Sequence, residues 1–241
     1  MEWIQYIPTD NDTQVSRIQD FLACGSYSAI HIAEMMTKKW TGQMGYYSER
    51  ALAKLSGTTH AGNSLQNIVD AINKYGLILE KDWPQINTDA NVTWEQYYAE
   101  IPPQVLAKAD RGWTATLTKL SPPQVNSTLQ VSPVWTIIPT SGGTDHIVAQ
   151  INPTQYFDSY LIFVKNFQAN FMPLSQWYLK LIYTPMTNAE FYHKTGTQEY
   201  GFALPALSED ALKDKALNLA VNIFNPDGSI NYSLAKEVSG L

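Results

Sequence analysis

Three residue types in this chain could together perform thiol chemistry: its single cysteine, one of its four histidines, and an asparagine that follows them. A nucleophilic thiol needs a base within hydrogen-bond reach, and the base needs a third group to fix its ring. Cys24 sits at the start of a helical pattern, with Ala29, Ile32, Ala33 and Met36 at i, i+3, i+4 and i+7. The positive end of a helix dipole favours a thiolate there, and the small neighbours Ala23, Gly25 and Ser26 leave room for another backbone to approach. The competing reading of a lone cysteine is a small buried hydrophobe. His31 is two turns along the same helix, about 10 Å from Cys24, and His60 lies in a loop of small residues. His193 falls in the C-terminal stretch. His146 follows a Gly-Gly-Thr-Asp turn at the start of a strand, where it can project into a cleft facing Cys24. Asn166, after an apolar run at 160–164, supplies a side-chain oxygen that could accept from the imidazole N–H.

These groups need a scaffold, and the composition supplies one. The 241 residues suffice for a full core, and 44% hydrophobic with 16% charged residues describes a folded protein. A net charge of −6 and the absence of any basic cluster larger than a pair such as Lys38-Lys39 argue against nucleic-acid binding. No apolar run is of membrane-spanning length, and Met1-Glu2-Trp3-Ile4-Gln5 does not open like a signal peptide. One cysteine permits no intramolecular disulfide, so a cytoplasmic site of synthesis is expected, with passage into an assembled particle left open.

The pattern is helical first and strand-rich second. Residues 1–20 read as an extended lead-in. Helices are expected at about 24–38, from Tyr47-Ser48-Glu49 onward with Ser48 as N-cap, and at 65–75, stopped by Gly76. Strands are expected at 113–120, 133–138, 146–151, 160–164 and 177–182, with a helix opening at Pro122-Pro123. This order predicts an α+β protein of two lobes with a cleft between them, a helical lobe at about 15–92 and an antiparallel β lobe at about 93–186. Residues 187–241 read as a small C-terminal appendage for docking protein partners or for assembly.

The motifs resemble those of the papain-like cysteine peptidases over most of residues 15–183. Cys24-Gly25-Ser26-Tyr27-Ser28-Ala29 through Glu34 is similar to the family's nucleophile helix, and Tyr47-Ser48-Glu49-Arg50-Ala51-Leu52 to its Leu-Ser-Glu-Gln-Glu-Leu segment. Gly62-Asn63 resembles its Gly-Gly loop, Asp145-His146-Ile147-Val148 its Asp-His-Ala-Val, and Lys165-Asn166 the start of its Lys-Asn-Ser-Trp-Gly. Cys24 and His146 are 122 positions apart, slightly under the ~130–150 usual in the family; the missing chain falls between Ile138 and Thr144. The resemblance implies a papain-like fold and a thiol peptidase acting on peptides or proteins through a Cys24 acyl-enzyme. In that reading His146 is general base and acid, Asn166 orients it, and Gln19 helps hold the oxyanion. Gly62, Asn63 and Asp145 line the substrate groove. No metal or cofactor is implied. Gly25 replaces the family's Trp, Gln168 its shielding aromatic (with Phe167 beside it), and Asn63 a glycine, where its side chain should narrow the groove. Two further readings follow from these departures and from the lack of a propeptide, which is more like members encoded by bacteria and their phages. One is a catalytically attenuated papain-fold component of a larger assembly such as a virion or tail. The other is an endopeptidase for peptidoglycan stem peptides; Cys/His amidases of other folds place their histidine much closer to the cysteine.

Overall fold

A computed structural model describes residues 3–8, 22–86, 92–140, 143–159, 163–168 and 172–184. Gln19 and the 187–241 appendage lie outside the described residues. The fold is α+β, with helices preceding and flanking a six-stranded antiparallel sheet.

Each of the three longer helices begins or ends where its sequence provides a cap. Helix α1 (Cys24–Thr41) ends on Gly42, whose φ of 73° is left-handed and whose N–H reaches the carbonyl of Lys38. Ser48 accepts from the Ala51 N–H to start α2 (Glu49–Leu55), and Ser64 accepts from the Asn67 N–H to start α3 (Leu65–Tyr75). The one-turn helices α4 (Trp94–Tyr97) and α5 (Pro103–Leu106) lead into the sheet, and α6 (Pro122–Thr128) joins its first two strands in sequence.

The strands are β1 (Trp113–Lys119), β2 (Val134–Pro139), β3 (Asp145–Gln150), β4 (Gln155–Asp158), β5 (Phe163–Asn166) and β6 (Ser175–Tyr183). Their spatial order is β1-β6-β2-β3-β4-β5. The last strand therefore returns to the middle, pairing Trp113 with Tyr183 on one side and Trp135 with Trp177 on the other. Strand β4 has no counterpart among the expected strands; of the strand expected at 160–164, residues 163 and 164 belong to β5 (Phe163–Asn166) and 160–162 lie outside the described residues. The lead-in also differs: Trp3–Tyr6 is a 3-10 turn rather than an extended segment. Trp3 is fully buried there, its indole N–H donating to the Leu129 carbonyl at 2.7 Å while Lys39 Nζ lies over its ring. At the β1 edge, the Asn73 side chain of α3 bonds both the N–H and the carbonyl of Ala115, occupying backbone groups an edge strand leaves open.

The core joins α1 and α3 to one face of the sheet through Trp135, Ile147, Ala149 and Phe157. The start of α1 is wedged into it. A Cβ on Gly25 would stand 2.7 Å from Ile68 Cδ1 of α3 and 3.3 Å from Ile147 Cδ1 of β3. The glycine beside Cys24 is thus the position where helix and sheet close on the first turn of α1, and there is no room for the tryptophan the resemblance places there. Gly25→Ala is expected to destabilise the fold by about 1–3 kcal/mol through overpacking. Added to an Ile68→Val background, which lacks the clashing Cδ1, the same change should lose less; chemical denaturation of the two single variants and the double variant measures that coupling.

Candidate active site

Cys24 is the first residue of α1 and is half-buried. Two positions earlier in the turn, Leu22 has φ 59° and is the single non-glycine residue with positive φ among the described residues. No side chain caps the start of α1, since Ala23 holds the N-cap position. The first backbone N–H groups are therefore the natural donors at this end of the helix. The turn is fixed from the sheet side. Trp135 Nε1–H donates to Ser28 Oγ at 2.6 Å, and the Ser28 hydroxyl donates to the carbonyl of Cys24 at 2.8 Å.

His146 is the second residue of β3 and is buried. The turn before it is tight: Thr140 N–H bonds the Thr144 carbonyl, the two threonine hydroxyls meet at 2.8 Å, and Gly143 takes a φ of 76°. This short hairpin accounts for the reduced Cys24–His146 spacing. The Cys24 side chain lies near enough to the imidazole to be one of the groups that raise it. The imidazole Nε2 meets Asp158 Oδ1 at 2.9 Å, which leaves Nδ1 as the nitrogen for the sulfur. Burial alone would push the imidazolium down. Asp158, first through its hydrogen bond, and Cys24 outweigh it and raise the histidine to about 9.

The group that holds the ring is therefore Asp158, and not Asn166 as the sequence suggests. Strand register explains the difference. In the β4–β5 hairpin Asp158 pairs with Phe163, whereas Asn166 pairs with Gln155, three rungs or about 10 Å away. Asn166 is exposed. Phe157 pairs with Ala149, so its neighbour Asp158 falls on the same sheet face as His146, diagonally across β3 and β4. A signal for it exists in the sequence: Asp158-Ser159-Tyr160 is an acidic counterpart of the Asn-Ser-Trp run sought after Lys165.

The remaining expected residues are distributed as follows. Asp145 is exposed at the first position of β3, opposite Pro139. Gly62 has both backbone groups engaged with Thr59, N–H to carbonyl in each direction. The Asn63 amide donates to the Ser56 carbonyl and hydroxyl and to Thr58 Oγ1. Phe167 packs against Tyr156 at 4.9 Å between ring centroids, in a small cluster with Ile138 and Val148, and Gln168 is exposed. His60 stacks on Trp94 at 3.9 Å. His31, Glu34 and Glu49, all buried, offer ligand atoms within 4.8 Å of one another, a set that could hold a cation between α1 and α2. Glu34 there accepts from the Tyr47 N–H at 3.3 Å.

No known family profile and no curated protein matches the sequence. Solved structures do match its fold. The clostridial cysteine protease Cwp84, in its form after propeptide cleavage, superposes with a TM-score of 0.53 at 15% identity, over 74% of this chain and 57% of that one. The Carica candamarcensis cysteine protease CMS1MS2 in complex with E-64 gives 0.46 at 14% identity, over 74% and 96%. The Ananas comosus bromelain protease in complex with E64 gives 0.41 at 12% identity, over 74% and 97%. The chain has the fold of the papain-like cysteine proteases.

Asp158→Asn keeps the shape of the third group and removes its charge. The His146 titration midpoint, followed by NMR of labelled histidine, is expected to fall from about 9 by roughly one to two units. Asn166→Ala should leave it in place. The reverse pattern would return the orienting role to Asn166.

Proposed function

We propose that the chain is a cysteine-type peptidase whose nucleophile is Cys24. The observation that carries this reading is the placement of one buried imidazole between the Cys24 sulfur and the Asp158 carboxylate. In the proposed cycle His146 holds the proton while the Cys24 sulfur attacks as the thiolate. The thiolate attacks the carbonyl carbon of a peptide bond, and the negative oxygen that forms is met by first-turn N–H groups of α1, beginning with that of Cys24. His146 then gives its proton to the departing amine as the C–N bond breaks and a thioester forms. Neutral His146 next takes a proton from water, whose hydroxide displaces the thioester and releases the acid, restoring the thiolate–imidazolium pair.

Gln19 remains a proposed oxyanion partner from the family resemblance alone. Substrate backbone would pair at Asn63 rather than at Gly62, since the Gly62 groups are engaged with Thr59. The substrate class is a peptide or protein chain.

The test is alkylation by iodoacetamide at neutral pH in the wild type, Cys24→Ser and His146→Ala. Wild type should react at least tenfold faster than free cysteine, the serine variant not at all, and His146→Ala roughly 10²-fold more slowly than wild type. Equal rates in wild type, His146→Ala and free cysteine would overturn the reading and favour a papain-fold component of an assembly without turnover.

A further inference from the structure

Asp158 divides its two oxygens between two cations. Oδ1 takes His146 Nε2 at 2.9 Å, and Oδ2 takes Lys165 Nζ at 2.6 Å. The carboxylate side chain is 5% exposed and the lysine side chain 32%. The register makes this pairing possible. Lys165 of β5 pairs with Tyr156 of β4, and Asp158, two residues on, projects from the same face, so the lysine stem runs diagonally along the hairpin to reach it.

A neutral amide in the third position needs no counter-charge. A buried carboxylate does, because desolvation drives it to take up a proton. A protonated Asp158 would lose most of its hold on an imidazolium. Lys165 supplies the missing charge from the partly exposed edge strand, where an ammonium keeps contact with water. With it, thiolate, imidazolium, carboxylate and ammonium sum to zero in the resting site. Among the described residues the phenol of Tyr156 also feels this set, and burial and the Asp158 charge hold it above its ordinary value.

We propose that Lys165 is a positioning residue that keeps Asp158 ionised and aimed at His146. It acts through Asp158 and does not touch the reacting atoms. This inference rests on the reading of Cys24 and His146 as the working pair. It adds that the chain's acidic third member functions only together with the lysine seven positions later.

The charge argument fixes the sign of the test. Without Lys165 the buried Asp158 takes up a proton or turns from the ring, so Lys165→Met and Lys165→Gln should lower the His146 midpoint below about 9, by roughly one pH unit, toward that of Asp158→Asn. Lys165→Arg, which keeps the charge, should leave it within a few tenths of a unit. The midpoint is read by NMR in Cys24→Ser protein as well as in wild type, with His146→Ala assigning the signal among four histidines. In the alkylation profile of the Cys24 protein, the alkaline limb, set by His146, should move down in Lys165→Met. A merely structural lysine would lower the amplitude and leave the limbs in place. An unchanged or raised midpoint in both neutral variants, or a shift equally large in Lys165→Arg, overturns the clamp. Because the midpoint is measured without the thiol, that result is separate from the failure of the nucleophile reading, which the alkylation rate of the wild type alone decides.

Discussion

The site depends on how firmly the first turn of α1 is held against the sheet. A nucleophile at a helix start is placed by its backbone, and ångström-scale displacement is enough to separate a thiol from its base. Here the turn is tied by a hydrogen-bonded chain from Trp135 through Ser28 to the Cys24 carbonyl. It is also pressed between Ile68 and Ile147 at a residue with no side chain. Ile147 is the chain neighbour of His146, so the contact that seats the helix also fixes the base. Gly25 reads in isolation as a lost shield for the thiol. In the fold it is the condition for bringing Cys24 within reach of β3.

Electrostatics sets the protonation state of the pair so placed. Burial opposes a charge on His146, and partners reverse the balance to about 9. An ordinary unfolded histidine titrates near 6.5, so the folded value is raised. The pairing therefore contributes stability that is fully present below about pH 6.5 and is lost as pH rises through about 9. In the proposed mechanism the alkaline limit of activity lies in the same window, since that is where the imidazolium gives up its proton. Fold stability and chemistry thus draw on one protonation state, which is unlike a site where strain is stored against the fold.

Much of this is legible in the sequence because it rests on local rules. The apolar spacing after Cys24, the Ser48 cap and the Gly76 stop place the starts of α1 and α2 and the end of α3 nearly to the residue. The turn before His146 places it at a strand start. What is not legible depends on register, which no local pattern carries. Strand β4 has four residues, Gln155–Asp158, too few for alternation to stand out. Without β4, the next strand takes its place and Lys165-Asn166 attracts the orienting role. The size of Asn63 suggests a narrowed groove and does not reveal that its amide donates to Ser56 and Thr58. Trp3 gives no signal because Trp3-Ile4-Gln5-Tyr6-Ile7 is too short for a period to stand out. Its burial depends on backbone at Leu129, 126 positions away.

The exchange of an amide for a carboxylate in the third position changes what the surroundings must provide. An asparagine orients an imidazole with a dipole and can sit at a dry site without help. Asp158 orients it with a charge, holds the imidazolium more strongly, and must itself be neutralised when buried. The short β4–β5 hairpin meets that demand by adding one strand at the sheet edge, and its register sets Lys165 against the second carboxylate oxygen. The residue that reads in sequence as part of a Lys-Asn motif is thereby given a physical reason to be a lysine. Its neighbour Asn166, one step along the same strand, points to the other face and carries no such constraint.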